Sequence, residues 1–309
     1  MAALILKSGN ALNNNVESLD YAAYRDRVLA DGGMIVNEQA VRDAMTFVQT
    51  QGISQSEVFS ATSADWGIRL LSGAPNKLYS LFGDAGDLDA IIGGAGLLNY
   101  NDTRYNHSVI EFKGYFNSSN ALVSKGVANN VTSTGLCVIS KVPVLASASD
   151  YGSTTSVGGV AELADFSNSA TSAEALSKKI LSISQTRATT SDMPNLWYDS
   201  LYGYAGSATA ITKTTSPDLT KWRTNSTLLT ASKLEVYVNG TVSVSDTTVT
   251  PTAITDNLKL NIGRTRSGAA ALAYQNPLWG DVAEAWCMVN TSEATMKALS
   301  VRAAAKYID

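Results

Sequence analysis

Between residues 233 and 290 the chain holds four short β-rich runs, and Asn239-Gly240 joins the first two. That dipeptide tolerates the positive φ needed at both central positions of a type I′ turn, whose twist matches that of paired strands. The runs cover 233–238, 241–245, 258–264 and 280–290, and their alternating apolar residues predict an antiparallel sheet with one buried face. Register in the hairpin has two solutions. A strict two-residue turn sets Val238 opposite Thr241 and Tyr237 opposite Val242, with Leu234, Val236 and Val238 on one face. A bulge or longer loop swaps the faces of one strand, and both faces are apolar enough to accept it.

Composition fits such a body. With 309 residues, 45% hydrophobic and 16% charged, the chain can fill a large core beneath a mostly neutral, polar surface. A net charge of −4 argues against a surface that tracks nucleic-acid phosphates. No apolar run is long enough to span a bilayer. Lys7 follows a short apolar start, whereas the cations of a secretory signal precede the apolar stretch. Cys137 and Cys287 stand in apolar, strand-like runs and read as buried thiols rather than a disulfide. With a single histidine beside them, Cys and His alone cannot complete a four-ligand zinc site.

Three segments follow from a pass along the chain. Residues 1–17 read as an extended arm, apolar and then rich in Asn, without helical period. Residues 18–65 read as a helical docking module. Ser18 caps its first helix, which stops at Gly32-Gly33. Asn37 caps its second, where Val41, Ala44, Met45 and Val48 fall on one face. A short helical turn is expected over 56–59. Residues 66–309 carry strands and turns, with strand expected from Lys179, loops around one strand over 150–172, and loop-like sequence over 195–204. A final helix follows, capped by Asn290 or Ser292, with Met296, Leu299, Ala303 and Tyr307 along one face.

Several blocks carry a family resemblance. The stretch 77–88, through Phe82, Gly83, Asp84, Gly86 and Asp87, resembles the opening strand and loop of concanavalin A-like lectin/glucanase (LamG-type) domains. Asn239-Gly240, then Ile262-Gly263, then Gly280 to Glu284 and a last helix are similar to that family's closing half, in its order. The helical lead-in over 47–59 resembles bacteriophage virion proteins, notably tail and appendage proteins. The resemblance covers about residues 40–309. It implies a mainly β, two-sheet antiparallel jelly-roll sandwich that binds glycans or proteins and in some members hydrolyses glycans. It also implies a structural role for Glu284.

Candidate chemistry is sparse. A glycosidase needs two carboxylates flanking the scissile bond, and the family's hydrolytic Glu-x-Asp-x-Glu pattern is missing. Asp281 and Glu284, three apart on a strand, are expected on opposite faces. Asp84, Asp87 and Asp89, in a Gly-containing loop, offer hard oxygens suited to Ca2+, although aspartates that cap their own turn have the same spacing. Trp197, Tyr198, Tyr202, Tyr204 and Trp222 could stack on sugar faces, or fill a core or a subunit interface. His107 lacks a recognisable triad partner, and Gly93 to Gly96 lacks the Lys-Ser/Thr of a phosphate loop.

These features point to a non-catalytic structural protein of a bacteriophage particle, as an appendage, decoration or tail component, with a glycan-binding, lectin-like adhesin as the alternative. The expected partners are other virion proteins, further copies of the chain as a homo-oligomer, and host-surface glycan, without nucleic acid or membrane insertion. The expected location is the virion, assembled in the host cytoplasm.

Overall fold

Alternating apolar side chains sort the strands into two stacked sheets, and a layer of helices covers the outer side of one of them. The computed structural model describes residues 19–91, 97–102, 107–113, 120–141, 156–165, 179–187, 197–205, 207–213, 221–247, 258–265 and 276–308. The arm over 1–17 and the stretch Gly93–Gly96 lie outside these residues.

The first sheet has ten antiparallel strands. In spatial order they are β1 (Met34–Ile35), β3 (Gly67–Leu71), β4 (Ala74–Leu78), β5 (Leu88–Ile91), β8 (Ala121–Ser124), β17 (Leu258–Ile262), β10 (Ser156–Asp165), β11 (Lys179–Arg187), β12 (Trp197–Ala205) and β13 (Ser207–Lys213). The second sheet runs β16 (Thr241–Asp246), β15 (Leu234–Val238), β14 (Arg223–Leu229), β9 (Thr134–Lys141), β20 (Trp279–Val289), β7 (Val109–Lys113) and β6 (Leu97–Asn101). β2 (Val58–Ser63) also pairs with β20. A small ladder joins β18 (Arg264–Thr265) to β19 (Asn276–Pro277). This is a mainly β, two-sheet jelly-roll sandwich with three α-helices among the described residues: α1 (Leu19–Ala30), α2 (Glu38–Thr50) and α3 (Glu293–Tyr307).

The four organising runs do not make one sheet. The runs of β15, β16 and β20 join the second sheet, whereas that of β17 joins the first. Nor is the second sheet buried on one face only. Leu136, Val138, Ala285 and Cys287 face the first sheet, and their chain neighbours Cys137, Ile139, Trp286 and Met288 pack with the helices. Apolar residues in succession, rather than in alternation, mark such a doubly covered strand.

The hairpin combines both register solutions. Val238 pairs with Thr241 and Tyr237 with Val242, as a two-residue turn requires. Asn239 and Gly240 take φ of 49° and 81°. A bulge at Ser243 then brings Val244 opposite Val236, keeping both on the inner side.

Helices α1 and α2 share the core of the second sheet rather than building their own. Val41, Ala44, Met45 and Val48 are buried as the periodicity predicts, and Asn37 caps α2 by accepting from the Ala40 N–H. Burying Val41, Met45 and Val48 stabilises by about 1.5–3 kcal/mol each. Phe47 meets Trp286 edge-on at 6.4 Å, and Tyr24, Trp66 and Tyr79 join the same cluster. β1 extends the first sheet and β2 the second, so the expected boundary at residue 66 separates no two cores. The helical turn expected over 56–59 is a 3₁₀ turn, Gln55–Glu57, held by a Ser54–Glu57 capping box, and the chain then enters β2. Ser292, not Asn290, caps α3.

Candidate functional site

Two neighbouring rows of residues cross the first sheet with opposite character. One reads Ile211, Leu201, Ile183, Ala161, Ile262, Leu122, Ala90, each in register with the next, and its described side chains belong to or pack against the inter-sheet core. The next reads Tyr202, Ser182, Glu162, Asn261, Val123, Asp89, Lys77, again strand by strand. Because side chains alternate along a strand, the described side chains of this second row belong to the face turned away from the core.

Glu162, Ser182 and Asn261 are fully buried at the centre of the row. Asp89, with its side chain 47% exposed, marks the open end beside Lys77, whose Nζ lies 3.8 Å away. Lys77 also bonds Asp31 at 2.8 Å, and the Arg69 guanidinium and the Tyr79 hydroxyl reach the same carboxylate at 2.9 Å each. The hydrogen bonds from Lys77 and Tyr79 hold the Asp31 carboxyl below the usual carboxylate range. The signal for this face was present in the sequence as three triplets, Ala161-Glu162-Leu163, Leu181-Ser182-Ile183 and Leu260-Asn261-Ile262. Each sets one polar residue between two inward-facing apolar ones.

The expected aromatic set divides. Trp197, Tyr198, Tyr202 and Tyr204 lie on β12, a strand rather than a loop, where Tyr202 pairs with Ser182 and Ala210. Trp222 precedes β14 in the other sheet. It is 9% exposed and packs beside Tyr307 at 5.7 Å and His107 at 6.1 Å, so the structure does not bring it to the same face.

The three aspartates do not converge on a cation. Asp84 pairs with Lys125 at 2.6 Å. Asp87 accepts from Arg27 at 2.7 and 2.8 Å and caps the Ser80 N–H at 2.9 Å, tying α1 to the loop. Asp89 faces Lys77. Each carboxylate faces a lysine or arginine, Asp89 sharing Lys77 with Asp31, and the three do not share one centre. Among the described residues, no three His, Cys, Asp or Glu side chains gather as a metal would require.

A second cluster joins β20 to α3. Glu284 is buried and accepts from Trp286 Nε1 at 2.6 Å, Lys306 Nζ and Tyr307 OH at 3.1 Å each, and Arg302 Nη1. Burial pushes its carboxyl up, but Arg302 and Lys306 outweigh burial and bring it down to about 2. A bulge near Ala283 shifts the strand, so Asp281 and Glu284 fall on the same, helix-side face instead of opposite ones. His107 Nδ1 lies 3.8 Å from Asp65 Oδ2, with its ring 4.6 Å from that of Tyr307, and no triad is seen among the described residues.

The two thiols occupy opposite faces of the second sheet. Cys137 pairs with Trp286, one residue before Cys287. Burial pushes the Cys137 thiol up to about 12, and it raises that of Cys287 as well. Both thiols are therefore expected to resist a thiol-reactive disulfide in the native protein and to react fully once it is unfolded in denaturant. A burst of one equivalent from the native protein would contradict this packing.

No helix among the described residues is long and apolar enough to cross a membrane. Comparison with protein-family models and with curated proteins gives no match. Among solved structures, the chain is similar to domain 4 of an extracellular arabinanase from Geobacillus stearothermophilus, in complex with arabinotriose. The TM-score is 0.50 at 11% identity, over 80% of this chain and 100% of that one. It is also similar to the native heptameric SAP-like pentraxin from Limulus polyphemus (TM-score 0.42, 13% identity, 68% of this chain and 81% of that one). The botulinum neurotoxin serotype D binding domain gives a TM-score of 0.48 at 8% identity, over 80% of this chain and about half, 52%, of that one. At these identities the likeness is one of fold, and the arabinanase domain carries it: a jelly-roll sandwich of two antiparallel sheets.

Proposed function

We propose that the chain is a non-catalytic binding protein whose sandwich offers the outer face of its first sheet to an oligosaccharide, and that it does so as a displayed component of a bacteriophage particle. The observation that carries the binding reading is the row Lys77, Asp89, Val123, Asn261, Glu162, Ser182, Tyr202. Among its described side chains it sets the polar groups of Lys77, Asp89, Asn261, Glu162 and Ser182 in register on five strands, on the side turned away from the inter-sheet core. A ligand laid along this face meets Asp89 at its open end, beside Lys77, while Asn261, Glu162 and Ser182 lie buried behind it and hold the strands that carry that end.

The spacing of acids supports binding without hydrolysis. Asp89 and Glu162 stand three strands apart in the same row. At about 4.8 Å per strand the separation is about 14 Å, beyond the roughly 5–9.5 Å that glycoside hydrolysis uses. The virion part rests on the resemblance of the helical lead-in, with attachment through the N-terminal region and further copies of the chain as neighbours.

Two measurements test the two parts separately. On a glycan array the protein should retain an oligosaccharide. Asp89→Ala should weaken that binding by about tenfold, the effect of one lost hydrogen bond to a charged group. Lack of retention on any glycan, with or without Ca2+, would remove the binding reading. Proteomics of purified particles should find the chain in stoichiometric amounts, and its absence would remove the virion reading while leaving the array result intact.

A further inference from the structure

An Asn followed by Gly is chemically labile, because a residue without Cβ lets its backbone nitrogen approach the preceding side chain. The Gly240 nitrogen, after giving up its proton to solvent base, forms a bond to Asn239 Cγ. The Cγ–Nδ2 bond breaks, and the nitrogen leaves as ammonia, taking up a proton. One water molecule then opens the resulting succinimide at either carbonyl, giving aspartate or isoaspartate. The net change is one water consumed and one ammonia released, without any oxidant or reductant.

In the folded protein both reacting groups, the Gly240 N–H and the Asn239 side-chain amide, are hydrogen-bonded elsewhere. Asn239 Oδ1 accepts from the Thr224 N–H at 3.1 Å, while the Asn239 N–H donates to the Thr224 carbonyl at 3.1 Å. The side-chain amide is thereby tied to β14. The Gly240 N–H donates to Ser300 Oγ at 3.2 Å, and Ser300 is fully buried on α3. The helix also covers the glycine: a Cβ there would lie 3.4 Å from Val301 Cα and from Ala304 Cβ. Asn239 itself is exposed, so water reaches it freely.

We propose that Asn239 is a deamidation site held in check by α3. While the helix is seated, attacking nitrogen and side-chain amide are hydrogen-bonded to different partners, and the reaction proceeds only through states in which the helix has lifted from the hairpin. Isoaspartate then adds a methylene to the main chain and a negative charge at the turn. The type I′ geometry, the Thr224 bonds and the Ser300 bond are lost together, so the helix cannot regain its seat. The turn acts as a one-way latch that records each opening.

Ageing the purified protein at mildly alkaline pH, with isoaspartate at Asn239 counted by peptide mapping and isoaspartyl-methyltransferase labelling, tests this. The native rate should be about tenfold or more below the rate in denaturant, since only the locally opened fraction reacts. Ser300→Ala should raise the native rate severalfold and leave the denatured rate unchanged. Ala305→Gly, at an exposed helix position, should raise it by up to about fivefold through lost helix propensity. Equal native and denatured rates would overturn the proposal. So would a native rate unmoved by both substitutions while circular dichroism stays native.

Discussion

Replacing Arg302 by methionine should lower the unfolding free energy by about 3–5 kcal/mol, because it leaves Glu284 as a buried charge with its main partner gone. Glu284 has no exposed side-chain surface, and Lys306, its other cation, is farther away at 3.1 Å. Urea unfolding reads the loss directly. Acid unfolding provides the sign. A carboxyl held at about 2 when folded and near 4.3 when unfolded contributes its stability above about pH 4.3 and loses it as pH falls toward 2. With Arg302 gone the folded value rises, so the variant should begin to unfold at higher pH than the parent. Adding Glu284→Gln to the variant should recover part of the loss, since the double change removes the orphaned charge. A loss below about 1 kcal/mol would mean that Glu284 is solvated rather than paired, as surface ion pairs are.

The second large effect is expected at Gly263. Its φ is +91°, and a Cβ built there would lie 2.0 Å from the ring of Phe112, which is 1% exposed in the inter-sheet core. Gly263→Ala therefore combines a backbone conformation unsuited to L side chains with overpacking, and should cost about 2–4 kcal/mol. The two contributions can be separated. Phe112→Leu relieves the clash but not the φ, so the double variant should be more stable than additivity predicts by about 1 kcal/mol or more. Strict additivity would show that the alanine does not meet the ring.

Those two sites also show what sequence patterns carry and what they do not. The hairpin tip, the buried stripe of α2 and the cap-and-stripe pattern of α3 depend on residues within a few positions of each other, and each was legible. Glycines 86 and 263 stand in blocks that resemble a known fold, but their reason is tertiary: a Cβ at Gly86 would lie 2.0 Å from the Phe59 carbonyl of β2. Which sheet a strand joins was not legible, because the pairing of β17 with β10 is set across about a hundred residues of chain. The ion pairs of Asp84 with Lys125 and of Asp87 with Arg27 were not legible either, because those partners lie far off in sequence. The outer row of the first sheet went unseen for the same reason: its triplets are distinct in each strand and align only once the strands are paired.

The pairing of β2 with β20 has a consequence for biosynthesis. The hydrogen bond from Ser63 to the Ala283 carbonyl closes a loop of 220 residues. At roughly 5–20 residues per second of translation, β2 waits about 10–45 seconds for its partner. Until then the edge that β20 fills in the second sheet and the apolar seats of α1 and α2 stay open, so folding cannot be completed before β20 has been made. Ribosome stalling anywhere before β20 should leave a species that chaperones recognise and that proteases remove.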